Sequence, residues 1–318
     1  MKRREFIALT VAAAALAQVQ HGLALAAAAP LDTAAWSKAR RYAALPFGRI
    51  AYVERGTGDA AVFLHGAPLN GYQWRGAIDR LAAHRRCIAP DFMGLGYSEV
   101  PEKQSLAADA QTSMLAALLD ALKAKQVDIV ASDSGGAVAQ LFAARHPERV
   151  RSMLLANCDV EPDSPPAKVM PVIEMARAGT LADATAKWLT DRQLARSTFG
   201  AAVFRDPARF ADETIDYYVT PLVSSPLRRA QYHAFHVALA PNPLAGVEAA
   251  LKRCTAPVRM VWGAADDIFP KSDADYLDRL FPHSQGIRLV PEAKLFFPEE
   301  FPDLIAEEAR KLWKVRGA

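Results

Sequence analysis

Apolar residues along the chain keep two rhythms. Ala61-Val62-Phe63-Leu64, Arg86-Cys87-Ile88-Ala89, Val127-Asp128-Ile129-Val130 and Ser152-Met153-Leu154-Leu155 are short runs, apolar at nearly every position. Each leads into a turn or a helix-forming stretch, the pattern of strands buried on both faces. Between them the period lengthens. Met114, Leu115, Leu118, Leu119 and Leu122 share one face of a helix predicted over residues 107–123. Residues 74–84 are amphipathic, and residues 136–145 predict a further helix. Upstream, two apolar runs around Phe47-Gly48 predict a hairpin.

Strand and helix therefore alternate, which points to an α/β fold with a mostly parallel, doubly wound sheet covered by helices. The alternation stops between Cys158 and about Ala250. That stretch is rich in helix formers and aromatics and has no strand-like run of similar quality. It reads as an inserted helical cap over residues 158–250. Strand-like runs return at 258–262 and 286–290, and a helix over 302–314 closes the chain. The expected division is a core of residues 30–157 and 251–318 with the cap between them.

The chain has 318 residues, 51% of them hydrophobic and 23% charged, enough for one large core carrying an insertion. The first 29 residues stand apart from it. Lys2, Arg3 and Arg4 precede an apolar run from Phe6 to Ala17, and small residues follow up to Pro30. A basic start, a short apolar stretch and a small-residue zone predict a twin-arginine export signal, hence a periplasmic or secreted protein. Gln18, Gln20 and His21 interrupt the run short of the ~20 apolar residues a span needs, so no stable membrane anchor is expected after cleavage. Losing Lys2, Arg3, Arg4 and Glu5 lowers the net charge from +3 to +1. A nearly neutral protein has no electrostatic case for nucleic acid. Cys87, Cys158 and Cys254 are odd in number and lack metal-ligand spacing, so no metal and no cofactor is expected.

The candidate chemistry sits in Ala131-Ser132-Asp133-Ser134-Gly135-Gly136, between a predicted strand and a predicted helix. Small residues on both sides suit a sharp, strained turn that presents a nucleophile. Strand length favours Asp133 at the tip; Ser134 is the alternative frame. Leu64-His65-Gly66-Ala67-Pro68, the loop from Pro90 to Ser98, and Trp262-Gly263-Ala264-Ala265-Asp266 occur in order around it. Together these four segments resemble the α/β-hydrolase superfamily over about residues 40–315. The Asp and the inserted cap resemble its haloalkane dehalogenase and epoxide hydrolase branch.

That resemblance implies the α/β-hydrolase fold and an enzyme with Asp133 as nucleophile toward a small or medium apolar substrate: an epoxide, halide or ester. It implies Asp266 as supporting acid, with Asp159 as an alternative position, and backbone N–H groups of Ala67 and Ser134 as oxyanion donors. Trp74, Leu295, Tyr217 and Tyr218 are the expected pocket side chains. The chain departs from the family where its histidine should stand. Ala293-Lys294-Leu295-Phe296-Phe297-Pro298 holds none, and alignment on Phe296 puts Leu295 at that position. His236 or His233, three apart in the cap and on one face if helical, is the candidate substitute base. Without any base, the alternative is a protein that binds, isomerises or covalently captures a small ligand on the same fold.

Overall fold

A computed structural model describes residues 31–315. The leader expected over residues 1–29 lies outside the described residues. Helix α1 (Thr33–Ala39) precedes a hairpin of β1 (Arg41–Leu45) and β2 (Gly48–Arg55). There follow β3 (Ala60–Leu64), α2 (Arg75–Leu81), β4 (Arg86–Pro90), α3 (Ala108–Ala121), β5 (Val127–Asp133), α4 (Ser134–Arg145) and β6 (Val150–Cys158). After a helical stretch that holds α5 to α8 come β7 (Val258–Gly263), α9 (Lys271–Leu280), β8 (Ser284–Val290) and α10 (Pro302–Leu312).

The eight strands form one sheet in the order β1-β2-β4-β3-β5-β6-β7-β8. β2 pairs antiparallel with β1 and β4, and every later pairing is parallel. β3 and β5 are buried at every residue, in keeping with the unbroken apolar run of β3 and the mostly apolar run of β5. Polar Asp128 within β5 is compatible with this because Arg85, Arg151 and Ser152 all hydrogen-bond its carboxylate, at 2.8, 2.8 and 2.7 Å.

β5 runs three residues further than the apolar pattern predicts, to Asp133. Ala131 and Ser132 look like turn formers in isolation. They stay in the ladder because Ala131 pairs with Leu64 of β3 and Leu155 of β6, and Ser132 with Ala156 of β6. Between β6 and β7 the chain is largely helical: α5 (Met170–Arg177) and α6 (Leu181–Ala186) are joined by a short turn, as are α7 (Asp212–Val223) and α8 (Pro226–Val237), while residues 187–211 between α6 and α7 form a run of short helical turns. α7 and α8 pack against each other, and α8 packs against α5 and α6. No named strand occurs in this stretch among the described residues.

Candidate active site

At the end of β5 the backbone of Asp133 takes φ +54° and ψ −138°. A side chain in that region costs about 1–3 kcal/mol and persists only where its surroundings enforce it. The enforcement here is close packing. A Cβ on Gly135 would lie 2.6 Å from the carbonyl oxygens of Leu64 and His65, and one on Gly136 would lie 2.3 Å from Cys158 Cβ. Asp133 therefore stands at the strained tip, and Ser134 already opens α4 with its Oγ buried and unpartnered.

The 65–68 loop comes up against this tip. Phe92 N–H donates to His65 Nε2 at 2.9 Å, so His65 Nδ1 carries the proton and donates to Gly66 O at 2.9 Å. Burial lowers the His65 pKa to about 4, which keeps this ring neutral and structural. The clamp directs the Ala67 N–H at Asp133 Oδ1, 3.1 Å away, and the Ser134 N–H donates to the same oxygen. Oδ2 accepts no hydrogen bond among the described residues.

Asp133 faces a largely apolar cavity of about 350 Å³ between the sheet and the helical stretch. Burial raises the pKa of Asp133, and the two backbone N–H groups partly oppose it. Asp159, just past β6, lines the same cavity. Burial first, and then the charge of Asp133, push its carboxyl up to about 7, while a hydrogen bond from Ser164 Oγ at 2.7 Å acts the other way. Leu295 and Phe296 form another part of the wall, held by the Phe296 N–H on Val203 O at 3.0 Å.

The family model for the alpha/beta hydrolase fold matches residues 60–301. The chain belongs to this family. It is 28% identical over 284 residues to haloalkane dehalogenase 2 of Mycobacterium tuberculosis, covering 81% of this chain and 89% of the relative. A haloalkane dehalogenase of Agrobacterium fabrum is 31% identical over 196 residues, 61% of this chain and 59% of that one. Among solved structures, the epoxide hydrolase CorEH superposes with a TM-score of 0.72 at 25% identity, covering 86% of this chain and 98% of its own. The molecule is a hydrolase of the α/β-hydrolase superfamily, related to haloalkane dehalogenases and epoxide hydrolases.

In this α/β-hydrolase the remaining candidate residues divide between cavity and core. Asp266 sits in the turn after β7. Its Oδ2 accepts from Asn157 Nδ2 at 2.7 Å and its Oδ1 from Ile268 N–H at 2.9 Å. Burial raises its pKa to about 6, and these bonds oppose the rise. No histidine hydrogen-bonds to it among the described residues. His236 lines the cavity: Nδ1 donates to Tyr232 O at 3.0 Å, which leaves Nε2 unprotonated and available. Burial lowers its pKa to about 4, so the ring is neutral near pH 7. His233 turns elsewhere, its Nε2 accepting the Ala182 N–H at 2.9 Å at the start of α6.

Three expected pocket residues do not line the cavity and need correction. Trp74 is fully buried at the end of a 3-10 turn and packs on Phe63 of β3, 5.9 Å between centroids. Tyr217 packs on Tyr72 and Tyr97, and its hydroxyl accepts from Arg40. The Tyr218 hydroxyl donates to Glu299 at 2.9 Å. α7 thus turns its aromatic pair toward α1 and the 65–75 region. The aromatics that the helical stretch gives to the cavity wall are instead Trp188, Phe199 and Tyr232. Nothing in local sequence separates these from Tyr217 and Tyr218. Leu295 alone of the four expected pocket residues lines the cavity.

Proposed function

We propose that this α/β-hydrolase is an exported enzyme that uses Asp133 as nucleophile on a small or medium apolar electrophile. The observation that carries the reading is the state of its carboxylate. One oxygen is held by two backbone N–H groups and the other faces an apolar cavity. Oδ2 attacks an sp³ carbon, the bond to the leaving group breaks, and an alkyl ester of Asp133 forms. Water then adds to the ester carbon, and charge develops on Oδ1 where the N–H groups of Ala67 and Ser134 already point. The relatives named haloalkane dehalogenase and epoxide hydrolase support this class of chemistry.

Leu295 occupies the place of the family histidine in this reading, and His236 takes over as base. Its Nε2 lone pair is available in the cavity, and charge building on Oδ1 favours the imidazolium that forms. Asp266 keeps the turn after β7 in place through Asn157. Export rests on the twin-arginine leader.

The test is intact-mass spectrometry with product analysis on the full chain, offered hexene oxide, hexyl bromide and an activated ester. Wild type is expected to give product, or an adduct that maps to Asp133, and Asp133→Asn neither. Equal labelling or turnover by Asp133→Asn would move the nucleophile elsewhere. A second reading, covalent capture without turnover, is favoured by Leu295 in the cavity wall and an Asp266 with no histidine partner among the described residues. It requires one adduct per chain and no product beyond that.

A further inference from the structure

Two carboxylates open onto the cavity, and the mechanism above uses one. Asp159 is buried at the end of β6. Ser164 Oγ donates to its Oδ1 at 2.7 Å, and Gln140 Nε2 donates to its backbone oxygen at 2.7 Å, so the residue is held from two sides. Its Oδ2 accepts no hydrogen bond among the described residues. Asp159 also borders a second pocket of about 20 Å³, shared with Ser134, whose Oγ is buried and unpartnered. That volume suits a single water. The carboxyl is thus fixed in place with one oxygen uncommitted, beside the nucleophile and facing the substrate space.

We propose that Asp159 is the general acid of this reaction, giving its carboxyl proton to the leaving oxygen as Asp133 opens a ring, which selects epoxides and other strained cyclic ethers over alkyl halides. The inference rests on Asp133 being the nucleophile. Asp133 Oδ2 forms a bond to carbon, the C–O bond breaks, and the departing oxygen takes the Asp159 proton. This leaves a hydroxy-ester and an Asp159 carboxylate. Water adds to the ester carbon and gives a proton to His236. Collapse expels the alkoxide, which takes that proton back, and the product is a diol. Asp133 is left as a carboxylic acid, and its proton returns to Asp159. At rest the two carboxylates share one proton, and in the ester intermediate Asp159 alone is charged, since burial and mutual repulsion disfavour two charges in one apolar space. A halide leaves as an anion and has no use for the acid.

Tyr232 is another proton-bearing side chain on the cavity wall, and its position argues against it. Thr185 Oγ donates to Leu181 O at 2.9 Å, so the Tyr232 hydroxyl, 3.2 Å from Thr185 Oγ, is the donor of that pair. Burial raises its pKa further. The groups that bear on the Asp159 proton are Asp133 at the elbow, Asp273 on α9, and His236 and Lys168 on the cavity wall.

Wild type, Asp159→Asn and Tyr232→Phe are compared with hexene oxide and hexyl bromide, reading alkylation of Asp133 by intact mass in a single turnover. Asp159→Asn is expected to slow opening of the epoxide by about 10²–10⁴-fold and to leave bromide alkylation within about threefold. The bromide rate reports a folded elbow, so a merely structural effect lowers both rates together and overturns the proposal. An unchanged epoxide rate overturns it too, as does a loss confined to Tyr232→Phe. If neither electrophile labels Asp133 or gives product in wild type, the nucleophile fails and the acid falls with it.

Discussion

A carboxyl that holds its proton to near neutral pH leaves a mark on stability as well as on rate. Asp159 titrates near the ordinary 3.8 in the unfolded chain and at about 7 in the fold, raised by burial and by Asp133. Below pH 3.8 both states are protonated and the site is neutral to stability. Between 3.8 and about 7 the folded state binds the extra proton, so stability falls as pH rises through that window and stays low above it. At 1.36 kcal/mol per pH unit the full loss is about 4 kcal/mol, an upper figure because water and side chains relax around a new charge. Asp159→Asn keeps the shape of the neutral carboxyl and cannot ionise. The variant is expected to match wild type near pH 4 and to exceed it by up to about 4 kcal/mol near pH 8. Urea unfolding of both proteins across this range measures the difference directly. A difference that does not change with pH, or a variant less stable than wild type near pH 8, would refute the claim that Asp159 carries a proton in the folded protein.

Further outcomes follow from packing and ring orientation. His236→Gln should keep adduct formation on Asp133 and slow ester hydrolysis by about 10²–10⁴-fold, whereas His233→Gln should leave both steps within about threefold; adduct decay in a pulse experiment separates them. Gly136→Ala places a methyl 2.3 Å from Cys158 Cβ and 2.5 Å from its Sγ, and a Cβ fixed to the end of β6 can hardly yield. It should destabilise the fold by about 1–3 kcal/mol in urea titration and abolish labelling of Asp133.

Much of the molecule is legible in local sequence because local physics suffices for it. The unbroken apolar run of β3, and the run Val127–Val130 broken only at Asp128, mark strands covered on both faces, and the apolar spacing from Met114 to Leu122 marks α3. The small residues at 135 and 136 announce a close approach, which the structure shows to be against the carbonyls of Leu64 and His65 and against Cys158. The end of β5 was less legible, since Ala131 and Ser132 resemble a turn until β3 and β6 pair with them.

Only the tertiary structure decides which way the helical stretch looks. His233 and His236 are three apart on α8, yet one ring accepts a hydrogen bond from the start of α6 and the other faces the cavity. Tyr217 and Tyr218 are aromatics like Tyr232, but α7 turns them toward Arg40 and Glu299 while α8 brings Tyr232 to the cavity wall. Trp74 is likewise drawn under β3 by Phe63. Asp159 reads in sequence as one acidic residue after a strand; its uncommitted oxygen and its high proton affinity arise from burial beside Asp133. Sequence determines periodicity and steric allowance, which are properties of neighbours along the chain. Orientation of a helical face and the cost of ionising a buried acid depend on atoms brought together from distant segments, and those the fold alone supplies.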